Sequence, residues 1–207
     1  MNTSSDSAAK DTLRERMRAA RSGLAPAARE AASRAIASRL AALPAWAAAR
    51  TVALYPSTGS EVDTWELARL ALAAGKRVAW PRISTSGRAL EFACCAPAEL
   101  VPGPARVLEA PPSAPGLPID VLDLVVVPGL AFDPTGRRLG RGRGHYDATL
   151  VLLRPGAARI GLAFEAQLVD RVPTEPHDVP LDAVVTETRV LAPAGIPVST
   201  HPGSTPG

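Results

Sequence analysis

Lysine is nearly missing from this 207-residue chain: Lys10 and Lys76 are the only two, so 21 of its 23 basic residues are arginine. Aromatic residues are also sparse, at 4%, which argues against bases stacked on an aromatic platform. The two cysteines are the sequence neighbours Cys94 and Cys95. Adjacent cysteines do not bridge without strain, so a disulfide framework is excluded and a reducing, cytoplasmic setting is expected. No apolar run approaches the ~18 residues of a membrane span. The polar segment 1–9 lacks the apolar core of a secretory signal.

The length and the 46% apolar content suit one globular domain. A net charge of +3 invites a nucleic-acid reading, but Arg137, Arg138, Arg141 and Arg143 fall within seven positions, and without them the chain stands at −1. Such a distribution describes a nearly neutral protein with one anion site, not a polyanion-binding surface. Residues 1–9 and 192–207 are polar or rich in Pro, Gly and Ser and are expected to be loose, leaving 10–191 as the folded body.

Within that body helices and strands alternate. Leu13, Met17 and Ala20 predict a helix over 10–21, with Arg14, Arg18 and Arg21 on another face. A second helix follows Pro26, with Ile36, Leu40 and Leu43 as its apolar stripe and Pro44 beyond its end. Strands are expected at 51–55, 77–80, 89–94, 123–127, 159–163 and 183–186, with helices at 62–74 and 146–153. Gly75 is placed to cap the first of these two helices, while 97–118 and 133–144 read as loops. The pattern is that of an α/β fold, a single-domain, mostly parallel sheet with helices on both faces.

The segment Gly136-Arg-Arg-Leu-Gly-Arg-Gly-Arg-Gly-His-Tyr-Asp147 carries the most chemistry. Gly140, Gly142 and Gly144 let backbone N–H groups approach an anion, the interleaved arginines add forked donors, and the following helix offers its positive end. The segment follows a buried strand, where ligands bind in open α/β sheets. It is neither a P-loop nor a dinucleotide fingerprint, and a flexible Arg-Gly loop is the plainer alternative. Asp147 reads first as a helix cap. Beside a phosphate cradle it also suits Mg²⁺, which takes one or two carboxylates in addition to nucleotide phosphates. Asp178, in a loop with three prolines, is the candidate second carboxylate, with ordinary turn chemistry as its alternative. His177 alone is a weak metal ligand. Lys10 and Arg14, four apart, share a helix face that is either a two-pronged phosphate contact or a solvated basic face. Glu61 reads as a helix-start charge, with ligand orientation as the alternative.

The order of these pieces is specific. Lys10-x-x-x-Arg14, then Glu61-x-Asp63-Thr64, Val127-Pro-Gly-Leu-Ala-Phe-Asp133, Arg138-Leu-Gly-x-Gly-x-Gly-x-Tyr-Asp147 and the segment 173–188 together resemble the 5-formyltetrahydrofolate cyclo-ligase (methenyltetrahydrofolate synthetase) family. The resemblance spans 10–191. It implies a sheet like that of ribose-5-phosphate isomerases and CoA transferases. It also implies conversion of 5-formyltetrahydrofolate and ATP into 5,10-methenyltetrahydrofolate, ADP and phosphate through an iminium phosphate. By the same resemblance ATP would contact Lys10, Arg14, Arg138, Leu139, Gly140, Arg141, Gly142, Arg143, Gly144, His145 and Tyr146. The folate would contact Pro56, Glu61, Arg141, Gly142, Arg143, Gly144 and His145, and Mg²⁺ would be held by Asp147 and Asp178. The family usually has Tyr where this chain has His145. A monomer without nucleic-acid or membrane partners is expected. The competing readings are a sugar-phosphate isomerase or CoA transferase on the same sheet, and a nucleic-acid module built on the Arg-Gly loop.

Overall fold

The computed structural model describes residues 3–104, 107–175 and 178–193, with side chains from residue 8 onward. His177 and most of the tail expected to be loose lie outside the described residues. Continuous apolar runs build the centre of the molecule. Strands β1 (Thr51–Ala53), β7 (Leu124–Val127) and β11 (Ala183–Val185) are buried along their whole length. With β2 (Arg77–Ile83) and β10 (Ala158–Leu162), they form five parallel strands in the order β11-β10-β7-β1-β2. The edges are antiparallel: β12 (Val190–Leu191) beside β11, and β3 (Leu90–Cys94) with β6 (Gly116–Leu117) beside β2. Within 97–118, expected to be surface loop, β4 (Val101–Pro102) and β5 (Leu108–Glu109) also pair.

Alternation along these strands assigns one side chain in two to each face. Val52, Leu54, Val126, Ile160 and Val185 face α2 (Pro26–Ala41), α3 (Pro44–Ala48) and α4 (Trp65–Ala73). Ala53, Val125, Val127 and Val184 face α5 (His145–Leu150) on the other side. Each sheet face is therefore covered, as a parallel sheet requires. Helix α4 ends as expected: Gly75 has φ +69°, its N–H bonds Leu72 O at 3.0 Å, and Lys76 N–H reaches back to Ala71 O at 2.9 Å, the paired closure of a glycine-capped helix.

Several boundaries differ from the expectation. Helix α1 (Thr3–Ser22) starts ahead of Lys10, so the stretch read as loose is helical from Thr3. Pro44 ends nothing further than α2; it opens α3, because a missing N–H is harmless in a first helical turn. The stretch 133–144 is not one loop: β8 (Ala131–Phe132) and β9 (Arg138–Leu139) form a hairpin, on which Met17 of α1 packs with Leu130, Leu139 and Val172.

The β7-to-hairpin junction has no spare room. A methyl group on Gly129 would stand 2.4 Å from Cζ of the fully buried Phe132. Gly129→Ala is expected to cost about 1–3 kcal/mol through overpacking, read as a lower urea midpoint at unchanged m.

Candidate functional site

Chain direction changes sides between β1 and β7: from β1 the chain proceeds to β2, and from β7 it proceeds through β10 to β11 on the opposite side. Loops leaving the carboxyl ends of two such strands diverge and leave a crevice. A cleft of about 760 Å³ lies there, lined by Tyr55 and Pro56 after β1 and by Pro128 and Gly129 after β7. It is large enough for a sizeable ligand or two smaller ones.

Helix α1 supplies one rim. Lys10 is 7% exposed, and its Nζ lies 3.0 Å from Glu175 Oε1 and 3.6 Å from Asp178 Oδ2. Arg14 Nε donates to Gly140 O at 3.1 Å. The solvated-face reading of this pair is therefore overturned: of the expected basic face only Arg18 is exposed, while Arg21 is 8% exposed. Burial lowers the Arg21 pKa, and the neighbouring Glu61 carboxylate opposes that shift.

The glycine-rich strip forms the floor. Gly142 (φ +93°) brings the backbone against the Arg14 guanidinium, 3.5 Å from the point a Cβ would occupy. Gly144 (φ +70°) is the residue that caps α5. Asp147 is thus in the first turn of α5 and not at the cap, where the isolated sequence places it. Its Oδ1 accepts Arg138 Nη1 at 2.9 Å and Val179 N–H at 3.3 Å. Asp178 Oδ2 accepts Glu175 N–H at 2.7 Å. Burial pulls the Arg138 pKa down, with Asp147 first and Asp178 also among the charges opposing it, so both carboxylates lie in the field of one guanidinium. Arg138 Nε is buried and has no hydrogen-bond partner among the described residues. An unpaired buried guanidinium nitrogen in a cleft is an open donor for an anion oxygen.

Glu61 is not a helix-start charge, because α4 begins later, at Trp65. Its Oε2 accepts Thr58 N–H at 3.0 Å and Thr58 Oγ1 at 3.2 Å, while Oε1 accepts Arg141 Nη2 at 2.6 Å. Tyr55 and Tyr146 flank this carboxylate, and burial first, then Glu61, pushes both phenol pKa values well above their ordinary range, so both hydroxyls stay protonated. His145 Nδ1 donates to Arg88 O at 2.8 Å, since a carbonyl can only accept, and this ties the start of α5 to the β2–β3 hairpin. The remaining wall, with Pro81, Ile83 and Leu90, is more apolar.

The cleft thus gathers every residue named as a site candidate from the sequence: Lys10, Arg14, Pro56, Glu61, the strip Arg138 to Tyr146, Asp147 and Asp178. Sequence reasoning passed over Tyr55, Arg88 and Glu175, although Tyr55 precedes Pro56 and Glu175 lies in the loop of Asp178. It also passed over Arg21, although its spacing from Arg14 and Lys10 returns to one helix face.

A parallel sheet with a cation-rich cleft at its switch point defines an α/β enzyme acting on an anionic ligand. The comparisons are more specific. The 5-formyltetrahydrofolate cyclo-ligase family model matches residues 6–187. The Escherichia coli K12 5-formyltetrahydrofolate cyclo-ligase is 35% identical over 182 residues, covering 86% of this chain and 98% of that protein. The Mycolicibacterium smegmatis cyclo-ligase is 37% identical over 147 residues, covering 68% of this chain and 75% of that one. The NMR structure of Aquifex aeolicus 5,10-methenyltetrahydrofolate synthetase superposes with a TM-score of 0.78 at 29% identity, covering 95% of this chain and 96% of the other. This chain belongs to the 5-formyltetrahydrofolate cyclo-ligase family.

Proposed function

We propose that the enzyme uses ATP to close 5-formyltetrahydrofolate to 5,10-methenyltetrahydrofolate, releasing ADP and phosphate. The observation that carries this reading is the polarity of the cleft. One end gathers Lys10, Arg14 and the partly unpaired Arg138 around two carboxylates, and the other has an apolar wall beside Pro56 and Glu61. An apolar wall suits a flat heterocycle and the cationic end suits a triphosphate.

In this reading Lys10, Arg14 and the strip Arg138 to Tyr146 hold the phosphates, while Pro56, Glu61 and the strip Arg141 to His145 border the folate. Asp147 and Asp178 fit magnesium as it binds nucleotides, through one or two carboxylates completed by phosphate oxygens. Their described protein contacts each fall on a single oxygen. Bound there, the ion would neutralise phosphate charge. The formyl oxygen attacks the γ-phosphorus, and the bond to the bridging oxygen breaks, releasing ADP. N10 then adds to the activated formyl carbon and loses its proton, and phosphate departs with the former formyl oxygen. Such a transfer asks chiefly for alignment and charge compensation. Arg141, on its glycine-flanked arm, is the cation placed to reach the transferred phosphoryl group.

The working unit in this reading is a monomer. The free thiols Cys94 and Cys95 support a reducing cytoplasmic setting. Among the described residues no helix is long and apolar enough to cross a membrane. The test is an absorbance assay for methenyltetrahydrofolate with folinate as substrate. Product is expected with MgATP and not with either component of MgATP alone. A chain that forms none even with MgATP is not a cyclo-ligase, and a sugar-phosphate or CoA-ester substrate would then be tried on the same cleft.

A further inference from the structure

Arg21 is absent from the roles assigned above, yet it reaches the same site from behind. Its Nε donates to Ser60 Oγ at 3.1 Å, and its Nη1 lies 3.9 Å from Glu61 Oε1. That same Oε1 is the atom held by Arg141 at 2.6 Å. Glu61, with 8% of its side chain exposed, therefore sits between two guanidiniums of very different freedom. Arg21 is anchored in α1 with 9% of its side chain exposed, whereas Arg141 is 49% exposed and flanked by Gly140 and Gly142. No other cation is paired with Glu61 among the described residues.

The proposed reaction asks Arg141 to turn toward the phosphates. Glu61 then loses its shortest ion pair while remaining in a wall shielded from water. A shielded carboxylate that loses a counter-charge is drawn out toward solvent. That movement would disturb the folate border. Thr58 would still donate to Oε2, but only as a neutral hydrogen-bonding partner.

We propose that Arg21 is a positioning residue: the standing counter-ion that holds Glu61 aimed at the folate once Arg141 has left it. This inference rests on the reading that Glu61 borders the folate and Arg141 serves the phosphates. It explains why a helix that packs through Met17 also turns an arginine inward next to a serine and a carboxylate.

Steady-state kinetics on the full chain separate this role from a structural one. Arg21→Gln keeps a side chain able to hydrogen-bond near Ser60 and removes the charge. It is expected to raise the KM for folinate about tenfold, leave the KM for ATP within about twofold, and leave the thermal midpoint nearly unchanged. Arg21→Lys, which restores charge, is expected to limit the folinate effect to about threefold. On a Glu61→Gln background, where there is no carboxylate for residue 21 to hold, neither substitution should weaken folinate binding further, as measured by calorimetry. Should Arg21→Gln not fold, Arg21→Lys on the two backgrounds gives the same comparison. Equal losses on both backgrounds, an ATP KM that rises in step with the folinate KM, or a wild-type folinate KM in Arg21→Gln each overturns the role of Arg21 alone. A wild-type chain without turnover overturns the reading of the reaction and this inference with it.

Discussion

Arg141→Ala is expected to lower kcat/KM by about 10²- to 10³-fold, the scale of one lost charge-stabilising donor at a transition state, while the fold stays intact. Two observations make the substitution clean. The side chain is half exposed, and its partner Glu61 keeps Thr58 and Arg21 when Arg141 is gone. An ion pair with one half-exposed member contributes about 0–1 kcal/mol to stability, so the thermal midpoint should move by only a few degrees at most. A phosphoryl group passing from ATP to the formyl oxygen needs a cation able to follow it. Neither Lys10, buried against Glu175 and Asp178, nor Arg138, locked to Asp147, has that freedom. Arg141→Lys should recover only part of the rate, since an ammonium lacks the planar fork that grips two phosphate oxygens. The measurement is methenyltetrahydrofolate formation under saturating and limiting folinate, with circular dichroism as the control. A kcat/KM within threefold of wild type would remove Arg141 from the reaction.

What could be read from the sequence, and what could not, follows from the kind of force that fixes each element. β1, β7 and β10 are legible because desolvation acts on contiguous residues: a run such as Leu124 to Val127 is buried on both faces and has one stable place, the middle of a parallel sheet. The glycine-rich strip is legible for a related reason, since glycine and arginine alternate in one segment. The β8–β9 hairpin is hidden, because its strands are two residues long and its turn, 133–137, is held by a carboxylate, not by apolar alternation. The antiparallel turn from β2 to β3 is hidden too: periodicity predicts strands but does not give their direction. Glu61 and Arg21 are misread for a deeper reason. Each is ordinary in its own segment, and what gives it a role is the residue the fold sets opposite, Arg141 for one and Ser60 with Glu61 for the other. Pairings between residues so far apart in the chain leave no local trace.

Asp133 should show a large stability effect for a polar side chain near the cleft. It is 1% exposed, and its carboxylate closes two turns at once. Oδ1 accepts Thr135 N–H at 2.9 Å, Thr135 Oγ1 at 2.6 Å and Arg137 N–H at 3.2 Å, and Oδ2 accepts the buried Val172 N–H at 2.9 Å. No cation is paired with it among the described residues; backbone and hydroxyl donors carry the charge, as in a helix cap folded into a hairpin. Asp133→Ala would strand the buried Val172 N–H, where an unsatisfied group costs about 1–3 kcal/mol, and would release the Thr135 and Arg137 donors that close the turn. Partial relaxation of an exposed Thr135 lowers the sum, and a loss of about 3–4 kcal/mol is expected, equivalent to a fall of roughly 10 °C in the thermal midpoint for a chain of this length. Asp133→Asn is the sharper probe. If the amide keeps its oxygen toward Thr135 and Arg137, its NH₂ must face the Val172 N–H, donor against donor; if it flips, three donors lose their acceptor instead of one. The isosteric change should therefore still cost about 1–3 kcal/mol, between wild type and alanine. Because the hairpin carries Arg138 and leads into the glycine strip, both variants should also raise the KM for ATP, and Asn less than Ala. Scanning calorimetry with ATP titration reads stability and affinity on one sample, and a thermal midpoint for Asp133→Ala within about 2 °C of wild type would show that the hairpin holds without its carboxylate.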